Sequence, residues 1–159
     1  MSNPYFDLQN EVAARLAEHA TLVNIPMITE EKGDIEKRIQ SALNKAGLTK
    51  GANDKAGLAI LIYTPKGRGT TGGAGASRSI ISQYVTVRVA LFVKPLINDG
   101  LSGHQLAPLG VHYDIQAQVV TWNRGPGQPP IELDIWDSEE TNNEISYYND
   151  FNVPFDLSL

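Results

Sequence analysis

Cysteine is absent from this 159-residue chain. That excludes disulfides and zinc–thiolate sites, and it permits a reducing compartment. Long hydrophobic runs are missing too. The longest, LAILIY at residues 58–63, is six residues, against the roughly 20 that span a bilayer. The opening MSNPYFDLQNE has neither a basic nor an apolar leader region, so no signal peptide and no membrane partner are expected. Cationic excess is also lacking: the net charge is −5 and the pI about 5.1. General or sequence-specific nucleic-acid binding needs a cationic footprint and is not expected.

What is present supports a core. Hydrophobic residues make up 42% of the chain, which is too many for global disorder, and the length fits one compact domain over residues 1–159. No internal repeat is visible.

Charge is unevenly placed. Residues 64–79, TPKGRGTTGGAGASRS, hold five glycines, the cations Lys66, Arg68 and Arg78, and no acid. The stretch carries +3 and the rest of the chain, at a total of −5, therefore −8. Acids gather towards the C-terminus at Asp134, Asp137, Glu139, Glu140, Glu144, Asp150 and Asp156, and no Lys or Arg follows Arg124. These are either two separately solvated surfaces or complementary faces through which one copy meets another.

Hydrophobic periodicity orders the elements. Leu8, Val12 and Leu16 predict an amphipathic helix over 7–19, entered through Asn3-Pro4. IPMIT at 25–29 reads as an edge strand or extended connector, because Pro26 removes a donor. A second helix opens at Gly33-Asp34, with Asp34 as N-cap, buries Ile35, Ile39, Ala42, Leu43 and Ala46, and stops at Gly47. LAILIY reads as a central strand covered on both faces. A long strand follows, with Val85, Val87, Val89, Leu91 and Val93 on one face. Val111, Ile115, Val119 and Trp122 predict a third helix from about 108 to 122. Two alternating runs, from Ile131 and from Ile145, flank Thr141-Asn142-Asn143 and read as a hairpin. The expectation is an α+β fold. It has a mostly antiparallel sheet, about three helices packed on one face, and a long glycine-rich hairpin loop.

Candidate chemistry is sparse. GRGTTGGAGAS lacks the lysine of a phosphate-binding P-loop, and a β-patterned run follows it where a dinucleotide fingerprint needs a helix. A flexible loop between hairpin strands, or one that orders against a partner, fits the glycines better. His19, His104 and His112 show no metal-ligand spacing. Ser79, His112 and Asp114 would make a nucleophile–base–acid set on paper, without the elbow motif that would support one. Neither catalytic, cofactor nor metal residues are expected, and the protein is read as no enzyme.

The order of elements resembles the tail-terminator proteins of long-tailed bacteriophages and the related tail-completion proteins of the neck. The likeness lies in a leading helix (DLQNEVAARLAEH), an uninterrupted strand (LAILIY), a long loop and a long alternating strand (YVTVRVALFV). A helix ending in Trp (VHYDIQAQVVTW) and a closing strand with aromatic alternation (ISYYNDFNVPF) complete it. The segment IPMITEEKGDIEKRIQSALNKAG is longer than the minimal pattern. The resemblance implies a non-enzymatic virion protein, assembled in the host cytoplasm and located at the tail or neck. It would form a homo-oligomeric ring, a hexamer in this family, that stops tail-tube polymerisation. Its partners would be itself, the tail-tube protein and a neck or head-completion protein. Candidate contacts are Lys66, Arg68, Gly72, Gly73 and Arg78 of the loop and Asp137, Glu139 and Glu140 of the acidic hairpin. A small adaptor or binding module with no virion role remains the alternative class.

Overall fold

The structure is a computed structural model that describes residues 3–48, 57–71, 80–94, 107–141 and 144–158. Helix α1 (Pro4–Ala17) is capped by Asn3, whose Oδ1 accepts from the Tyr5 N–H at 2.9 Å, with Pro4 in the first turn. A single 3₁₀ turn then leads into the short strand β1 (Met27–Thr29).

Helix α2 (Ile35–Leu48) follows a second such turn. Asp34 does precede it, and its carbonyl accepts from the Arg38 N–H at 3.1 Å. Its backbone is left-handed, with φ 43, rather than the extended form usual at an N-cap. The helix continues through Gly47 to Leu48, so Gly47 is not its stop.

Strand β2 (Leu58–Thr71) and strand β3 (Ile80–Val93) form a long antiparallel pair. Half of the glycine-rich stretch is thus strand: residues 64–71 belong to β2, and residues 66–71 pair with β3 as far as Thr71↔Ile81. Residues 72–79, where the loop was expected, lie outside the described residues. Helix α3 (Pro108–Val120) leads into strand β4 (Glu132–Thr141) and strand β5 (Glu144–Ser158), an antiparallel hairpin with register Thr141↔Glu144.

The sheet order is β1-β2-β3-β5-β4. Only β1–β2 is parallel; the other three pairings are antiparallel. The α+β expectation therefore holds. The expectation of one helical face does not. Leu58, Ile60 and Ile62 of β2, with Val85, Val87, Val89, Leu91 and Val93 of β3, join a core with α1 and α3. Ala59, Leu61 and Ala90 point the other way and meet Ile39 and Leu43 of α2, with Ile28 of β1. The cause is topological. Parallel neighbours need a crossover, and α2 is the crossover between β1 and β2. It covers the face that α1 and α3 leave bare.

Candidate interaction surface

Strand β1 pairs with β2 only at Ile60, Leu61 and Ile62. Beyond that point β2 bends at a bulge between Tyr63 and Lys66. Buried Gln9 of α1 holds the bend. Its Nε2 donates to Glu30 Oε1 at 2.8 Å and to Thr64 Oγ1 at 3.1 Å, and its Oε1 accepts from the Glu30 N–H at 3.1 Å. Glu30 Oε1 also accepts from the Thr64 N–H at 3.0 Å. A buried polar side chain beside core residue Leu8 thus fixes where β2 leaves the core. Past the bend the side chain of Lys66 is exposed.

An open cleft of about 530 Å³ lies across the sheet here, lined by Lys66, Tyr84, Thr86, Glu132, Asp134 and Asn152. The register explains the company: Lys66 pairs with Thr86, Thr86 with Asn152, and Asn152 with Glu132, so one row crosses four strands. A cation of the glycine-rich stretch therefore shares a cleft with carboxylates of its own chain. These are Glu132 and Asp134, not the Asp137, Glu139 and Glu140 expected as the acidic partner surface. No sequence signal placed them there, because the row exists only once the register of two hairpins is known.

Asp137, Glu139 and Glu140 are all exposed on β4, an edge strand of ten residues. They do not share a face. Asp137 pairs with Tyr148 and Glu139 with Ser146, on the side of α2, while Glu140 pairs with Ile145 on the other. Asp137 Oδ2 accepts from the Tyr148 hydroxyl at 3.3 Å. A bulge between Leu133 and Ile135 shifts the alternation, which turns Trp136 towards α3 and leaves Ile135 on the side of α2. Trp136 stays 50% exposed, close to α3 whose Tyr113 is 66% exposed. Of the five expected loop contacts, Lys66 and Arg68 lie on β2. Gly72, Gly73 and Arg78 lie outside the described residues.

Two polar clusters tie β5 to its surroundings. On the α2 side, Asp150 is 2% exposed and takes a bidentate ion pair from Arg88, at 2.6 and 2.9 Å. Arg88 also donates to the Tyr63 hydroxyl at 3.1 Å, and its guanidinium carbon lies 4.5 Å from the Tyr148 ring centroid. The hydrogen bonds to Asp150 push the Arg88 pKa further above its usual value. On the opposite side, His112 meets Asn149, Gln116, Trp136 and Tyr147. Burial pulls its pKa below 6.5. Asp114 faces His19 at 3.9 Å, and Ser79 is outside the described residues, so the paper triad is not assembled from His112 and Asp114.

Among the described residues no group of three or more His, Asp or Glu could hold a metal ion, and no helix is long and apolar enough to cross a membrane. No family model matches the chain, and no curated protein matches its sequence.

Proposed function

We propose that this protein is a non-enzymatic structural component of a phage virion. It would assemble as a ring at the head-proximal end of the tail, where it ends tube polymerisation and joins tail to head. The observation that carries the reading is the order and length of the elements. A leading helix is followed, after the additional β1–α2 segment, by the long β2–β3 pair, then a helix, then the β4–β5 hairpin, an order like the one the resemblance to tail-terminator and neck proteins implies. The surface is compatible with head-to-tail contacts, which a ring requires. One edge of the sheet is acidic β4, and towards the other edge β2 runs beyond the reach of β1 and presents exposed Lys66. Opposite charges on non-identical surfaces favour that pairing over pairing of like surfaces.

The test is functional capping. Added to polymerising tail-tube protein, the purified chain should arrest tube growth and label one end of each tube. Unaltered tube lengths with no bound protein would leave the adaptor reading, in which the acidic β4 face serves a partner outside the virion.

A further inference from the structure

Helix α3 presents His112 and Gln116, one turn apart, to Asn149 of β5. Three contacts close a ring among them. Asn149 Nδ2 lies 3.2 Å from His112 Nδ1, Gln116 Nε2 lies 3.1 Å from His112 Nε2, and Gln116 Nε2 donates to Asn149 Oδ1 at 2.8 Å. Two of its members are shielded from water, Asn149 at 0% and His112 at 4% exposure, while Gln116 is half-buried.

The chemistry of the three groups does not match in the neutral state. A carboxamide offers donors at nitrogen and an acceptor at oxygen; a neutral imidazole carries one N–H and one bare nitrogen. With the Gln116 nitrogen turned inward, Asn149 must offer it oxygen, and the Asn149 nitrogen then faces Nδ1. Both ring nitrogens meet donors, so neither has room for a proton. With the Gln116 oxygen inward, Asn149 must offer it nitrogen, and the Asn149 oxygen then faces Nδ1. Both ring nitrogens now meet acceptors, so both need protons. Turning one amide alone breaks the contact between the two amides. A neutral His112 therefore always leaves one of the three contacts unmatched, while an imidazolium satisfies all of them. A mismatch at the buried His112 and Asn149 is costly, because water does not readily replace a lost bond there.

We propose that His112, Gln116 and Asn149 form a proton-operated switch, in which uptake of one proton by the imidazole turns both carboxamides over together. The surroundings set its range. From β4, Trp136 places its ring centroid 4.9 Å from the imidazole, and from β5 the titratable Tyr147 does so at 5.5 Å. Aromatic rings at these distances, both tilted to the imidazole, favour a cation. Burial acts against the cation. The nearby carboxylates are engaged elsewhere. Asp114 of α3 faces His19, Asp150 of β5 holds Arg88 on the opposite side of the sheet, and Asp137 of β4 accepts from Tyr148 on that same side. Arg15 of α1 donates to the Gln118 carbonyl of α3. From β3, Val89 stands opposite Asn149 and brings no charge. The switch lies beneath half-exposed Trp136, so it couples proton uptake to the seam between α3 and the β4–β5 hairpin.

NMR of the isotope-labelled full chain, titrated from neutral to mildly acid pH, tests this. The side-chain amide signals of Gln116 and Asn149 should shift with the same midpoint as the His112 ring nitrogens. Their amide protons should lose contact with the imidazole protons on the acid side. Gln116→Met removes one acceptor of the imidazolium and should lower the His112 midpoint by about one pH unit, a roughly tenfold loss of proton affinity. Titration of the imidazole with either amide unmoved overturns the proposal. So does an unchanged midpoint in Q116M, or an imidazole that stays neutral until the chain unfolds.

Discussion

Arg88 and Asp150 show what a single pair can decide. Asp150 is almost fully buried, and Arg88 is its only ion-pair partner among the described residues. Arg88→Met would leave a buried carboxylate without its cation, a change worth about 3–5 kcal/mol. The urea midpoint should fall accordingly, whereas Arg88→Met with Asp150→Asn should recover part of the loss. His112 gives a second residue-scale expectation. Its folded pKa lies below 6.5, so between the two values the unfolded chain binds more protons. Its contribution is fully present above the unfolded value and is lost as pH falls through it towards the folded one. The urea midpoint of the native chain should drop on acidification more than that of His112→Leu, compared at the same pH values. Neither site was legible in the sequence. Arg88 and His112 sit in clear strand and helix patterns, but their partners Asp150 and Asn149 lie far away in sequence, and only the register of β5 brings them in.

At the scale of elements, periodicity placed nearly every helix and strand. The alternation from Val85 to Val93 marked the core face of β3, and all five of those residues are buried on the α1 and α3 side. Val87→Asp or Val89→Asp should therefore prevent folding, seen as loss of the cooperative melt, because the charge would have no partner. The helices divide between the two faces for a physical reason. LAILIY is apolar on both faces, which requires cover on both, yet three helices on one side would leave Ala59 and Leu61 bare. IPMIT runs parallel to LAILIY, which makes α2 a crossover, and its hydrophobic pattern alone does not carry that direction. Leu43 is the fully buried anchor of that crossover. Leu43→Ala should cost about 2–5 kcal/mol. Hydrogen exchange should rise first in α2 and β1, while α1 and α3 keep their protection, since the two cores lie on opposite faces.

For the whole molecule, the uneven charge was legible and its geometry was not. The sequence separates a cationic stretch from an acidic one, but the fold sets Lys66 beside Glu132 and Asp134 of its own chain and spreads Asp137, Glu139 and Glu140 over both faces of β4. The triple variant Lys66→Ser, Arg68→Ser and Arg78→Ser separates the two uses of these cations. Exposed pairs contribute about 0–1 kcal/mol each, so the monomer's Tm should change little, while ring formation should weaken. A lower Tm with unaltered association would assign the cations to their own chain's cleft.

Electron microscopy of the purified chain at low and moderate ionic strength tests self-assembly. Rings with a central channel should form, fewer as salt rises because screening weakens contacts between charged surfaces, and fewer still for the triple variant. Uniform monomers at high protein concentration, at every salt level and in the presence of tail tubes, would contradict it.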